Sequence, residues 1–229
     1  MDLRQKKREF PENGRTAISH GLLAAGSVQR CLHILISLAL ALTLEGCAGE
    51  NSWHVEEVTG HLPDLHFSLT SDSGSAVTAR KFEGHVLLLY FGYTHCNAEC
   101  PVSLARLARV VRMLGDGENK VRILFVSLDP ARDTPDVLRR YVGQFDSEQT
   151  IGLTGMVADI ERLTKQYRTA YRPRSKIGET TDIEHGDAVY IFDARGRARL
   201  LATSSDSDEH LAQDLRRLMQ TAYQVGPGL

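Results

Sequence analysis

Cysteine is scarce in this chain of 229 residues: Cys31, Cys47, Cys96 and Cys100 are its only four. Four in this length are too few for a fold stapled by disulfides, and a core of ordinary size does not need them. An excess of positive charge is also missing. Lys and Arg number 27 against 29 Asp and Glu, a formal net charge of -2, which leaves no global field for a nucleic-acid backbone. No apolar run reaches the roughly 20 residues that cross a bilayer comfortably, and no internal repeat or low-complexity tract is present. With 42% hydrophobic and 24% charged residues, the composition excludes a disordered or collagen-like chain and a many-helix membrane protein. What remains is one folded domain with additional segments.

The additional segments lie at the N-terminus. Residues 1–15 are polar and basic, with Arg4, Lys6, Lys7 and Arg8 close together, and residues 31–44 are almost wholly apolar. A positive region ahead of a short apolar one has the layout of an export signal. The run has no polar face at the helical period, which argues against a buried core helix. Directly after it, Leu44-Glu45-Gly46-Cys47 resembles a bacterial lipobox, with Glu45 as a departure, so Cys47 is the expected lipidation site. An uncleaved anchor is the alternative. Either form places the remainder outside the cytoplasm, on the bacterial periplasmic or cell-surface side. The leader is long for a signal, and a start at Val28 would shorten it. Residues 1–47 are therefore expected to be leader or anchor, 48–61 a polar tether, and 62–229 the folded domain.

Within that domain, residues 64–70 and 76–79 flank Ser71-Asp72-Ser73-Gly74, a hairpin signal. Residues 86–91 and 121–128 are short apolar runs of the kind that form buried parallel strands. Between them, Leu104, Leu107, Val110, Val111 and Leu114 form a helical stripe after Pro101, with Arg106, Arg109 and Arg112 expected to face water. Thr134-Pro135-Asp136 opens a second helix, to about Phe145, with a capping residue and Pro in the first turn. Further helices are expected over 157–171 and 208–223, and a hairpin over 188–192 and 198–201. A βαβ unit followed by a ββα unit predicts an α/β, thioredoxin-like fold, a central mixed sheet flanked by helices, with an N-terminal hairpin. Residues 172–185 show no periodicity and are expected to form an exposed insertion before the third core strand.

Chemistry concentrates at Cys96-Asn97-Ala98-Glu99-Cys100-Pro101, where a buried strand gives way to a helix. A helix start carries unpaired N–H groups and partial positive charge, which favour thiolate over thiol. Two Cys four residues apart across such a turn can be a dithiol, a disulfide or a two-sulfur metal clamp. The spacing has one residue more than the C-x-x-C of thioredoxin-type oxidoreductases, and a loop this small gains little from a purely stabilising bridge. Soft sulfur donors favour Cu(I), and an added imidazole also suits Cu(II). His185, just before the strand at Ala188, is the candidate third ligand.

Several motifs together carry a family resemblance: Tyr90-Phe91-Gly92-Tyr93-Thr94, the C-x-x-x-C-Pro, the run from Val126 to Pro135, Ile151-Gly152-Leu153-Thr154-Gly155, and His185 ahead of Ala188-Val189-Tyr190-Ile191-Phe192-Asp193. Over about residues 62–223 the chain resembles the Sco/SenC family. That resemblance implies membrane-tethered, thioredoxin-like proteins that bind copper and help assemble the dinuclear copper centre of cytochrome c oxidase. It implies Cys96, Cys100 and His185 as the metal ligands. The implied partner is a copper-accepting subunit of a terminal oxidase, or another copper protein, and not a nucleic acid. Asn97, Ala98, Glu99, Glu184 and His95 depart from the usual family residues. All five leave the three ligands intact; His95 is read as a solvated loop imidazole or, alternatively, as a further ligand or a perturber of Cys96.

Two functions fit. As a metallochaperone, the chain binds one copper ion and passes it on by ligand exchange. As a thiol–disulfide oxidoreductase, Cys96 and Cys100 form a redox-active catalytic pair that keeps a partner's copper-site cysteines reduced. A thiol peroxidase would need a Pro and a Thr upstream of its attacking Cys; Thr94 is present, the Pro is not. The basic stretch 168–176 is either a docking face for an acidic partner or, more plainly, a solvated face. His54, His61, His66, His85 and His210 are read as structural or exposed.

Overall fold

Residues 52–96, 98–146, 148–169, 171–174 and 182–224 are described by the structure, a computed structural model. Among them the elements run β1 (Glu56–Glu57), β2 (Ser68–Ser71), β3 (Ala76–Thr78), β4 (Val86–Gly92), α1 (Glu99–Arg112), β5 (Val121–Ser127), α2 (Pro135–Val142), β6 (Thr150–Thr154), α3 (Val157–Gln166), β7 (Tyr171–Arg174), β8 (Asp182–His185), β9 (Val189–Phe192), β10 (Ala198–Ala202) and α4 (Asp208–Gln224). The large sheet has the order β1-β10-β9-β4-β5-β6-β2-β3. Its centre, β4-β5-β6, is parallel; β9 pairs antiparallel with β4, and β2 with β6.

Side-chain character dictates this order. All seven residues of β4 are buried, as an unbroken apolar strand requires when helices cover both faces of the sheet. Leu104, Leu107, Val110 and Val111 of α1 and Leu211, Leu215 and Leu218 of α4 are buried at helical spacing, and the two helices pack together. Each such side chain contributes about 1.5–3 kcal/mol on leaving water. Thr134 caps α2, accepting the Val137 N–H at 3.4 Å, with Pro135 in the first turn. A central mixed sheet flanked by helices is the thioredoxin-like arrangement expected.

Four local expectations change. The two ends of the insertion expected over residues 172–185 are strands: β7 and β8 pair antiparallel, with Tyr171 opposite His185. The helix expected to reach 171 ends at Gln166, because Arg168 adopts φ 53° and turns the chain into β7. Strand β6, absent from the expected element order, lies parallel to β5. The expected tether over 48–61 is folded from Trp53 on. There, Glu56 and Glu57 pair with Leu201 and Leu200, Val55 and Val58 are buried, and the buried Asp214 carboxylate accepts the backbone N–H groups of His54 and Val55 at 2.8 and 3.0 Å. The apolar run 31–44 and Cys47 lie outside the described residues. Among the described residues, no helix is long and apolar enough to cross a membrane.

Candidate metal centre

The C-terminal end of β4, the loop after it, the first turn of α1 and the end of β8 converge on one point. There Cys96 Sγ, Cys100 Sγ and a ring nitrogen of His185 all lie within 4.8 Å of one another. Both thiols are free, Cys96 half-buried and Cys100 buried. The sequence placed the two cysteines together by spacing alone. The hairpin β7-β8 brings in His185, 85 residues beyond Cys100 in the chain.

Each ligand is held by identifiable contacts. Ala98, the residue before α1, has no capping side chain; Cys96 Sγ stands in, accepting the Cys100 N–H at 3.3 Å. Cys100 Sγ lies 3.1 Å from His185 Nε2. The other ring nitrogen, Nδ1, is 2.9 Å from the Gly186 carbonyl oxygen. A carbonyl only accepts, so Nδ1 carries the proton and Nε2 turns its lone pair to the sulfurs, the tautomer a metal requires. The rings of Tyr90 and Tyr93 stand edge-on to His185 with centroids 6.1 and 6.0 Å away. Tyr93 Oη accepts the Ile183 N–H at 3.4 Å, which docks the hairpin on the cysteine loop. Beyond the hairpin, Asp187 accepts the Ser204 N–H at 2.9 Å. The Ser204 side chain first, and then that bond, hold its carboxyl below the usual range.

The helix start does not set the state of both thiols, as the sequence suggested. Burial pushes the Cys100 thiol far above its ordinary value, with Cys96 adding to the rise and a backbone hydrogen bond at Tyr93 opposing it. Desolvation disfavours the thiolate at this position. Cys100 therefore rests as a thiol, with His185 Nε2 as the acceptor for its S–H.

Asp133 ties the α2 loop to the cysteine loop. Fully buried, its Oδ2 accepts the Thr94 N–H at 3.0 Å and the Ser127 hydroxyl at 2.6 Å. Its Oδ1 accepts the Thr94 hydroxyl at 2.6 Å. Nothing in the spacing of Asp133 from Cys96 signals this, although both flank strands that run side by side. Arg106, expected to face water, is also tied down: it bonds Asp208 at 2.7 Å and the Thr203 carbonyl at 2.7 Å, fastening α1 to the loop before α4. The side chains of much of the basic stretch lie outside the described residues. His54, by contrast, has a structural role, with Nδ1 2.9 Å from Asp214 Oδ1 and its ring stacked on His210.

The donor chemistry fits copper better than a structural zinc. Structural zinc closes a four-ligand shell, whereas among the described residues no fourth His, Cys, Asp or Glu joins this group. Two sulfurs and one imidazole suit copper in either oxidation state. Two donors on one ion sit no more than about 4.6 Å apart, twice a bond of roughly 2.3 Å, so the group needs little adjustment.

A dithiol and an imidazole at the helix-opening loop of a thioredoxin-like fold define a redox or metal-handling protein. The comparisons narrow this further: the SCO1/SenC family model matches residues 59–220, and the chain belongs to that family. It is 36% identical over 129 residues to Protein SenC of Rhodobacter capsulatus, covering 56% of this chain and 58% of that protein. It is 35% identical over 134 residues to mitochondrial Protein SCO2 of Saccharomyces cerevisiae, covering 57% of this chain and 44% of that one. The chain thus spans about half the length of these two relatives. Among solved structures, copper-bound ScoI of Bradyrhizobium japonicum superposes with a TM-score of 0.63 at 33% identity, over 68% of this chain and 99% of that one. Copper-bound ScoI of Arabidopsis thaliana gives a TM-score of 0.64 at 27% identity, over 69% of this chain and 98% of that one.

Proposed function

We propose that this chain binds one copper ion through Cys96, Cys100 and His185 and delivers it to a copper-accepting subunit of cytochrome c oxidase or another copper protein. The observation that carries the reading is the meeting of two free thiols and a correctly tautomerised imidazole within 4.8 Å. Family membership and the copper-bound relatives support it. Copper is cargo here. Cys96, half-buried, is the ligand a partner thiol reaches first, while Cys100 and His185 hold the ion from beneath. An extracytoplasmic position, with the N-terminal segment as a membrane tether and a lipid on Cys47, completes the reading. Mass spectrometry of the membrane-extracted protein tests the lipid.

A thiol–disulfide reductase is the second reading, favoured by the two free thiols lying so close. Cys96 thiolate would attack a partner disulfide, and Cys100 would then displace the partner thiol. The chain ends oxidised by two electrons, with the partner reduced by two. Complementation of oxidase assembly in a strain lacking the protein separates the readings. Loss in Cys96→Ala, Cys100→Ala and His185→Ala alike supports copper delivery; loss in the cysteine variants with full function in His185→Ala supports the reductase.

A further inference from the structure

His95 directly precedes Cys96 in the chain without belonging to this centre. The mutually close donors are those of Cys96, Cys100 and His185, whereas the His95 side chain is 51% exposed. Its orientation is nevertheless fixed. Thr94 spends its one hydroxyl proton on Asp133 Oδ1 at 2.6 Å. Its oxygen can then only accept from His95 Nδ1, which lies 3.2 Å away. The chain of bonds Nδ1–H to Thr94 Oγ1–H to Asp133 ends on a carboxylate with 0% exposure, itself 3.8 Å from Nδ1. Nδ1 therefore carries the proton, and the Nε2 lone pair points away from this anchor. Among the described residues, Nε2 has no hydrogen-bond partner. A carboxylate that fixes the tautomer of an imidazole through its far nitrogen is the supporting arrangement found behind metal-binding histidines.

Resting on the copper-delivery reading, we propose that His95 is a transient copper ligand, the outer station through which the ion reaches and leaves the Cys96–Cys100–His185 centre. Cys100 is buried and Cys96 and His185 are half-buried, so an ion arriving from a donor protein cannot meet all three at once. His95 Nε2 and Cys96 Sγ, on adjacent residues, offer it a first pair of ligands. Transfer inward is ligand exchange at constant oxidation state. The bond to His95 Nε2 breaks as the bonds to Cys100 Sγ and His185 Nε2 form, and each sulfur that arrives as a thiol gives its proton to water as it binds. Release runs the same steps backwards.

The test is stopped-flow transfer of Cu(I) from a coloured chelator to the reduced full-length chain in detergent, alongside equilibrium titration of the same variants. For His95→Ala the expected result is loading slowed by about tenfold, the scale of one lost ligand contact, with an unchanged end-point and unchanged melting temperature. His95→Met, which keeps a soft donor, should regain most of the rate. A His95→Ala rate indistinguishable from the parent overturns the proposal, as does a slow rate that tracks a lowered equilibrium affinity. Failure of the parent chain to bind copper at all is a different result, and overturns the copper reading itself.

Discussion

Gly92 leaves the space that Cys100 fills. A Cβ at Gly92 would stand 2.8 Å from Cys100 Sγ and 2.6 Å from the Phe125 ring, closer than carbon and sulfur tolerate. The last residue of β4 therefore has no side chain so that the second sulfur can lie against the strand end. Gly92→Ala is expected to push Cys100 and the first turn of α1 outward, costing about 1–3 kcal/mol as overpacking and weakening copper binding as well. Denaturant unfolding and copper titration of the one variant check both effects.

Asp133 governs the loop rather than the ligands directly. Asp133→Asn keeps one oxygen but turns an NH2 group toward hydroxyl and amide donors that need acceptors. A loss of about 1–3 kcal/mol is expected for the unmet buried groups. Amide exchange at Thr94 should accelerate while exchange in β9 and β10 does not. Equal acceleration throughout would show that Asp133 does not act locally.

The buried thiol predicts an alkaline limit to stability. The folded state holds Cys100 far above its ordinary value of 9.0, by burial first, and holds Tyr90 above its ordinary 10.0 by burial and then by Cys100. The unfolded chain releases these protons first, so stability is full below about pH 9 and falls as pH rises through the folded values, by up to about 1.4 kcal/mol per unit for each group. Cys100→Ala should remove the first part of that slope in denaturation profiles between neutral and alkaline pH. At neutral pH, a thiol-alkylating reagent should modify half-buried Cys96 well before buried Cys100.

Among the described residues, Asp214 holds the segment from Trp53 to Val58 in place. Asp214→Ala removes the acceptor for His54, Val55 and the His54 ring. It is expected to cost about 2–3 kcal/mol and to open residues 53–58 to amide exchange and proteolysis, with copper affinity unchanged.

Most of the fold was legible in the sequence because its central elements are strongly patterned. The β4 and β5 runs are largely apolar, the α1 stripe repeats at three and four residues, and Thr134-Pro135 announces a helix start. The β7-β8 hairpin was not legible, since its eight residues alternate weakly and its pairing is fixed by docking on Tyr93. The strand at Glu56–Glu57 was hidden for the same reason: two charged residues form an edge strand held by backbone bonds to β10, just after His54 and Val55, whose N–H groups the distant Asp214 carboxylate accepts. In the centre, residue spacing identified Cys96 and Cys100, and family resemblance supported His185. The contacts of Gly92, Asp133 and Tyr93 arise from strands meeting side by side, which a one-dimensional pattern does not encode. The state of Cys100 was misjudged because helix position is visible in sequence and depth of burial is not.

Copper titration of the reduced full-length chain and its His185→Ala variant, followed by metal analysis and absorption spectroscopy, tests the account most directly. The account predicts one copper per parent chain with a thiolate-to-copper charge-transfer band, and for His185→Ala an affinity lower by about 10–100-fold with an altered band. Equal affinity and the same band in the two proteins would contradict it, because His185 would then not be a ligand.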